Sequence, residues 1–301
     1  MLVRFFFRAF LFITAVLVLL LAPVRLAVPP APPWHIAQKA STLRQTGSPG
    51  IRIHDQRVAE LLPQGEPQKS SPPASTQPVD QISRPKVALI IDDMGYNKRI
   101  GLKLLRLQLP LNFSFLPQAP HTQELLHLAQ QMDRTILVHM PMEPQSDKWK
   151  AEPVTLYTKD SQEELERKVE QMLEAVPQAR GANNHMGSRF TREQKKMAIV
   201  LGIVQQHHLF FVDSYTTGNS LGLSSARRMG IPTAKRNIFL DNEQNVDAIC
   251  KRLGQVAELA REKKNAIAIG HPNQAMVTAL ASCAQEKLNE VELVSVEELL
   301  R

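Results

Sequence analysis

The sequence predicts an α/β fold in which parallel strands and helices form a compact, irregular (β/α) barrel, with a doubly wound open sheet as the alternative. From residue 86 onward, short apolar runs alternate with segments of helical periodicity, a pattern that implies right-handed βαβ units. Polar residues of catalytic type recur directly after the apolar runs, as they do at the carboxyl ends of parallel strands. About 216 residues remain for this part, which suits one domain with about seven or eight such units.

The individual elements follow from these runs. The first strand, at 87–91, is an unbroken apolar run and is therefore expected to be buried on both faces. The other expected strands lie at 111–116, 135–138, 179–182, 209–212, 266–269 and 291–294. The expected helices lie at 99–107, 121–132, 161–175, 192–207, 220–229, 245–264 and 274–286.

Residues 1–27 are expected to be a targeting segment. Arg4 and Arg8 precede a mostly apolar run at 9–22, whose length suits a signal peptide better than a membrane span of roughly 20 residues. Pro23 weakens the cleavage site, so an uncleaved N-terminal membrane anchor is the alternative. In both cases the rest of the chain is expected to be exported to the periplasm.

Residues 28–85 are expected to be a flexible linker, and residues 86–301 the folded domain. The linker holds 11 of the 21 prolines, and such a segment buries too little apolar surface to fold. It would carry the domain away from the membrane, and it is where contacts with cell-wall proteins are expected. The net charge of +7 includes no dense basic run and aromatic residues are only 5%, which argues against nucleic acid as a partner.

Two cysteines, Cys250 and Cys283, lie in predicted helices near the C-terminus. In an oxidising compartment they would be able to form a disulfide, whereas two buried free thiols are the alternative. Neither has the local setting of a nucleophile. The sequence leaves both options open.

The residues of catalytic type follow five of the apolar runs. Asp92 and Asp93 come directly after the first run, and adjacent residues of a strand point to opposite sides, so the two acids are free to take different roles. The others are His139 and Glu143, then Asn183, Asn184, His185, Ser188 and Arg189, then Asp213 and Ser214, and finally His271. In a parallel barrel all of them would meet at one end.

This residue set predicts a metal-dependent hydrolase. Carboxylate and imidazole ligands without cysteine suit Zn²⁺ or another divalent first-row metal, with zinc the expected ion. Such a site needs three protein ligands, one carboxylate as base and one histidine as acid. No Gly-x-Ser-x-Gly, Gly-x-Gly-x-x-Gly or Walker A motif occurs, so the sequence offers no support for a serine hydrolase, a dinucleotide site or a P-loop.

Five segments resemble the divergent polysaccharide deacetylase family of bacterial envelopes, over about residues 86–301. They are VALIIDDMG at 87–95, LVHMPMEP at 137–144, GANNHMGSRFT at 181–191, FFVDSYTT at 210–217 and IAIGHP at 267–272. The related carbohydrate-esterase deacetylases have an irregular (β/α)7 barrel with one divalent metal, and the resemblance implies that fold here.

The resemblance also implies residue roles. It makes Asp92 the catalytic base and Asp93 a metal ligand. His139 matches the first of two metal-binding histidines, and Glu143 stands where the second is expected, so His185 or Glu143 would complete the ligand set.

The remaining roles fall to residues later in the chain. His271 resembles the general acid, Asp213 the aspartate that orients catalytic groups, and Arg189 the arginine that orients the base. Asn184, Ser188 and Ser214 are the residues expected to contact substrate.

Two functions follow from this. The first is deacetylation of a polysaccharide of the bacterial envelope, such as peptidoglycan, by a metal-activated water. The second, motivated by Glu143 in the place of a histidine, is an inactive module that binds envelope polysaccharide or a cell-wall protein. Few aromatic residues are available for sugar stacking, so a hydrolase with a different substrate is a further option.

Overall fold

The computed structural model describes residues 83–148 and 151–301. The predicted targeting segment at 1–27 and all but the last three residues of the predicted linker at 28–85 lie outside the described residues. The first strand begins at Lys86, where the sequence predicts that the folded domain starts. Within the described ranges, no helix combines the length and apolar character needed to cross a bilayer.

Nine strands form one parallel sheet. They are β1 (Lys86–Met94), β2 (Leu111–Phe115), β3 (Thr135–Met142), β4 (Gly181–Met186), β5 (Phe210–Asp213), β6 (Thr233–Lys235), β7 (Ile238–Phe239), β8 (Asn265–Gly270) and β9 (Glu292–Leu293). Eight of them follow the order β6-β5-β4-β3-β2-β1-β8-β7, and β9 pairs with the start of β1. The strands thus follow one another around the sheet, with β1 between β2 and β8. This order confirms the predicted irregular barrel and not the alternative, a doubly wound open sheet.

The barrel is incomplete between its two edge strands, β6 and β7. Arg236 and Asn237 join these strands, and their backbone N–H groups donate to Asp213 in β5 and to Ile267 in β8. The connecting chain therefore crosses from one edge of the sheet to the other. The sequence does not predict β6 and β7, because the segment Thr233–Phe239 is mostly polar and its pairing is set by its neighbours.

Eight α-helices are described. They are α1 (Lys98–Leu105), α2 (Thr122–Gln131), α3 (Gln162–Ala175), α4 (Gln194–Gln206), α5 (Gly222–Arg228), α6 (Val246–Lys263), α7 (Gln274–Ser282) and α8 (Ala284–Lys287). Side chains of Asn97, Ser161, Asn245 and Asn273 cap four of them by accepting a backbone N–H. The single helix predicted at 274–286 is divided at Cys283, which forms a disulfide with Cys250 in α6.

Two apolar clusters lie on the two faces of the sheet. The larger one packs strand residues such as Leu89 and Phe211 against the helices. The smaller one lies on the other face and includes Ile90, Leu137, Val212 and Ile269. Because side chains two residues apart share a face of a strand, the next positions along this inner face are occupied by polar residues at the carboxyl end of the barrel.

Candidate metal centre and catalytic site

Three side chains converge at the carboxyl end of the barrel. Oδ1 of Asp93 lies 3.0 Å from Nε2 of His139 and 2.8 Å from Nδ1 of His185, and the two histidine nitrogens lie 3.3 Å apart. Asp93 stands at the end of β1, His139 in β3 and His185 in β4. Among the described residues, these three form a group whose ligand atoms all lie within 4.8 Å of one another.

The convergence of Asp92 and Asp93 depends on a backbone irregularity. The register between β1 and β2 shifts between Ile91 and Met94, and Asp93 has a left-handed φ of 53°. Both carboxylates therefore reach the same histidine, with Oδ2 of Asp92 at 3.7 Å from Nε2 of His139. The expectation that adjacent acids point to opposite sides is wrong here, because it assumes an extended strand.

The donor set fits a divalent metal ion. Oδ1 of Asp93 is buried and makes no hydrogen bond, although two imidazole nitrogens lie within 3.0 Å of it. Three ligand atoms that converge in this way, one of them a buried carboxylate oxygen without a hydrogen bond, are typical of a metal site, and two imidazoles with one carboxylate suit zinc. Burial opposes the charge of Asp93, but the two histidines outweigh burial and hold the pKa of Asp93 well below its usual value.

Asp92 is nearly fully buried beside this group. Nδ2 of Asn183 donates to its Oδ1 at 2.8 Å, and burial raises the pKa of Asp92 against the opposing charges of His139 and His271. A carboxylate with a raised pKa is a better proton acceptor near neutral pH. The position and environment of Asp92 are therefore suited to a base.

His271 follows β8 and is paired with Asp241. Nδ1 of His271 lies 3.0 Å from Oδ1 of Asp241, while Oδ2 of Asp241 accepts the backbone N–H of His271 and the side-chain amide of Asn273. Burial lowers the pKa of His271, but this hydrogen bond and the charges of Asp93, Asp241 and Asp92 raise it to about 9. Asp241 follows the short apolar run at 238–240 and was not among the residues predicted from the strand-end pattern.

Asp213 does not have the expected role of orienting catalytic groups. Asp213 shares a face of β5 with Phe211 in the outer cluster, so its carboxylate turns toward the helices, where it accepts from Ser220 and from the backbone of Leu223 and Tyr215. Asp241, not Asp213, contacts His271. Asp213 instead holds the start of α5.

Arg189 is exposed and lies in the loop after β4. Its guanidinium donates to the carbonyl of Gln145 and lies 3.5 Å from Glu143. Arg236 is the arginine between β6 and β7; burial lowers its pKa, and the charges of Asp92 and Asp213 oppose that shift. Its guanidinium donates to the carbonyls of Ser214 and Tyr215 and stacks on the ring of Phe239, 3.6 Å from the centroid.

Phe239 connects the two sides of the site. Its ring also packs against the imidazole of His271, with ring centroids 5.9 Å apart. Phe239 therefore contacts both Arg236 and His271, the histidine expected to act as acid. Neither Arg236 nor Phe239 follows an apolar run, which is why the strand-end pattern did not identify them.

Glu143 holds loops together instead of joining the three converging side chains. Its Oε2 accepts both the backbone N–H and the hydroxyl of Thr158 at 2.7 Å, and its carbonyl accepts the N–H groups of Arg189 and Phe190. Of the two options for the third ligand, the structure places His185, not Glu143, beside Asp93.

Of the three residues expected to contact substrate, Asn184 and Ser188 have other partners for their side chains. Asn184 is buried and connects the carbonyl of Met186 to the N–H of Ser214, and Ser188 accepts the N–H of Gln145. The hydroxyl of Ser214 is buried and makes no hydrogen bond. Asn184 and Ser188 therefore shape the loops. Of the three, Ser214 is the residue whose side chain makes no hydrogen bond within the described residues.

A cleft of about 200 Å³ opens beside His185. Glu143, Glu152 and Tyr157 contribute to its wall. The hydroxyl of Tyr96 donates to Oε2 of Glu152 at 2.5 Å, and the ring of Tyr96 is exposed. This cleft provides space for a substrate next to the converging side chains.

A model of the divergent polysaccharide deacetylase family matches residues 89–300. The chain belongs to the divergent polysaccharide deacetylase family. Uncharacterized protein YibQ of Escherichia coli (strain K12) is 34% identical over 215 residues, which cover 71% of this chain and 67% of the relative. An uncharacterized protein of Haemophilus influenzae is 31% identical over 216 residues, covering 72% and 77%.

A solved structure supports the fold. The uncharacterized protein ATU2773 from Agrobacterium tumefaciens C58 superposes with a TM-score of 0.67 at 21% identity, covering 74% of this chain and 92% of that chain. At this identity the likeness concerns the fold. The family assignment rests on the match to residues 89–300 and on the two relatives.

Proposed function

We propose that the chain is a metal-dependent hydrolase that deacetylates a polysaccharide of the bacterial envelope. The observation that carries this proposal is that Asp93, His139 and His185 converge beside a buried Asp92 and the Asp241–His271 pair. Metal ligands, a proton acceptor and a proton donor thus lie at the same end of one barrel. This is the set of groups that hydrolysis of an amide or ester requires.

The residues divide the reaction between them. Asp93, His139 and His185 would hold one divalent cation, with zinc the ion that this donor set favours. The cation would polarise the acyl carbonyl and lower the pKa of water. Asp92 takes the proton of the attacking water on Oδ2, because Asn183 occupies Oδ1. As the C–N bond breaks, His271 gives its Nε2 proton to the leaving nitrogen, and the products are acetate and a free amine.

The surrounding residues keep these groups in place. Asp241 holds Nδ1 of His271, so that Nε2 is the nitrogen available for proton transfer. His185 beside Asp93 supports a hydrolase over the inactive binding module that was suggested by Glu143 in the place of a histidine. The family membership and the cleft beside His185 support a carbohydrate substrate.

We also propose that the domain works in the periplasm. The Cys250–Cys283 disulfide supports this location, because disulfides persist mainly in oxidising compartments. The N-terminal segment at 1–27 would direct export or anchor the chain, and the linker at 28–85 is the proposed contact for cell-wall proteins. A reporter enzyme that is active only in the periplasm, fused after Arg301, should be active; an inactive reporter would contradict export.

The catalytic proposal is tested with the full-length chain loaded with Zn²⁺. We expect about one equivalent of zinc and acetate release from N-acetylated peptidoglycan or chitin oligomers. Asp92→Asn and His271→Gln should keep the zinc but lose acetate release by a factor of about 10² or more. Asp93→Ala should lose the zinc, and exposed Asp247→Asn should change neither. A wild-type chain that takes up no zinc, or acetate release that survives Asp93→Ala, would refute the proposal.

A further inference from the structure

The side chain of Asn183 lies between Asp92 and His139. It is fully buried in β4, and its Cα pairs in register with that of His139 in β3. We infer that Asn183 is a positioning residue that couples the proton acceptor Asp92 to the metal ligand His139. This inference rests on the proposed function, since it concerns how that site is held ready for a metal and for a proton.

The hydrogen bonds determine how the Asn183 amide is oriented. An ionised carboxylate only accepts, so the group 2.8 Å from Oδ1 of Asp92 is the NH₂ of Asn183. Oδ1 of Asn183 therefore faces the other way, where it lies 2.7 Å from Nδ1 of His139 and 2.5 Å from the hydroxyl of Ser114. As an amide oxygen only accepts, both of these neighbours must donate to it.

The orientation of the amide in turn determines the tautomer of His139. Its Nδ1 carries a proton because it donates to Asn183, which leaves the lone pair of the neutral ring on Nε2. Nε2 is the atom that points toward Oδ1 of Asp93 and Nδ1 of His185. Asn183 thus keeps His139 in the form in which it can bind a metal.

The same amide determines which oxygen of Asp92 is free. Oδ1 accepts from Asn183, and Oδ2 is the oxygen nearer to His139, at 3.7 Å from Nε2. One side chain therefore orients the base and a metal ligand together. An amide carries its donor and its acceptor on two separate atoms, which lets it face both groups at once, whereas a carboxylate at position 183 would face Asp92 with a second negative charge.

The barrel supplies a matched control for Asn183. Asn112 in β2 is also buried, and its amide makes two hydrogen bonds against the three of Asn183, donating to the carbonyl of Leu89 and accepting from the N–H of Val296. These partners belong to the barrel framework and not to the site. Asn112→Ala and Asn183→Ala therefore remove the same groups at similar burial, and only the second removes contacts to Asp92 and His139.

The first test measures the Zn²⁺ affinity of the full-length chain by competition with a chelator. We expect Asn183→Ala to weaken zinc binding by 10-fold to 100-fold, as loss of a hydrogen-bond partner of a metal-binding histidine typically does. Asn112→Ala should change the affinity by less than about threefold, even if thermal denaturation shows that it is the less stable variant. Equal losses in both variants, or no loss in Asn183→Ala, would overturn the inference.

The second test uses the wild-type chain, so its result does not depend on how well a variant folds. In ¹⁵N-labelled, zinc-loaded wild-type chain, the His139 ring should show a slowly exchanging proton on Nδ1. A proton on Nε2 instead would overturn the inference. Both readouts are independent of deacetylation, so they distinguish a failure of this inference from a failure of the proposed reaction.

Discussion

The carboxylate of Asp241 holds His271 at two points, accepting from the backbone N–H at 2.9 Å and lying 3.0 Å from Nδ1 of the ring. Asp241 is itself nearly fully buried, and the amide of Asn273 donates to its Oδ2. Two strand ends are joined in this way, because Asp241 follows β7 and His271 follows β8.

The first prediction concerns the protonation of His271. Burial lowers its pKa, but Asp241 and the charges of Asp93 and Asp92 raise the pKa to about 9. We expect an NMR titration of the His271 ring in the metal-free chain to have its midpoint near that value. Asp241→Asn should make proton binding at least tenfold weaker, whereas exposed Asp247→Asn should leave it unchanged. An unaltered midpoint in Asp241→Asn would show that Asp241 does not control this proton.

The second prediction follows from the same pKa by linkage. The pKa of His271 is raised in the folded state, so its proton stabilises the fold fully below the ordinary value of about 6.5. This contribution is lost as the pH rises through about 9. Denaturant unfolding should therefore show the wild type losing more stability than His271→Gln between pH 6 and pH 10. Parallel losses in the two proteins would contradict the raised pKa.

The third prediction separates Glu143 from the metal site. Glu143→Ala removes the acceptor for both donors of Thr158, and we expect it to lower the free energy of unfolding by about 1–3 kcal/mol. Zinc stoichiometry should stay at about one, whereas His185→Ala should abolish zinc binding. If Glu143→Ala also lost its zinc, Glu143 would belong to the ligand set after all.

The fourth prediction concerns the disulfide between α6 and the junction of α7 and α8. Cys250 and Cys283 are separated by 33 positions, and removing such a cross-link typically costs about 2–4 kcal/mol. The double variant Cys250→Ser with Cys283→Ser should show this loss in denaturant unfolding and should keep its zinc. Reductant should destabilise the wild type by a similar amount and leave the double variant unaffected; equal stability with and without reductant would argue that the bond is absent.

The predictable parts of the fold are those where local pattern and tertiary environment agree. β1 was predictable because Val87 to Ile91 are all apolar and are buried on both faces of the sheet. The ends of the predicted strands were also informative, because parallel strands end on the same side. They place Asp92, His139, His185 and His271 at one end of the barrel. β6 and β7 were not predictable, because their sequences of three and two residues are too short to show a pattern and form strands only when β5 and β8 are beside them.

The roles within the site depended on side-chain directions that residue spacing does not reveal. Asp213 ends a strand as expected, but alternation places it on the helix side of β5. Asp92 and Asp93 share the inner side because of the left-handed backbone at Asp93. Asp241 and Arg236 belong to the segment around β7, where the sequence contains only a three-residue apolar run. These are properties of the folded chain.

The last prediction concerns substrate binding at Tyr96. Across residues 83–148 and 151–301, Tyr96 is the large apolar side chain that is exposed, at 51%. Burial, the hydrogen bond to Glu152 and the charge of Asp93 raise its pKa to about 12, so the hydroxyl stays protonated at neutral pH. An exposed aromatic ring in the loop after β1, three residues after Asp93, is suited to pack against the apolar face of a sugar.

Two variants separate the ring of Tyr96 from its hydroxyl. Tyr96→Phe keeps the ring and loses only the hydrogen bond to Glu152, so KM for an acetylated sugar oligomer should rise less than about threefold. Tyr96→Ala loses the stacking surface, and KM should rise by about tenfold, since an aromatic contact is worth about 0.5–1.5 kcal/mol beyond the area that it buries. Zinc binding should be unchanged in both. If Tyr96→Phe were as impaired as Tyr96→Ala, the contribution would come from the link to Glu152, which holds the wall of the cleft beside His185.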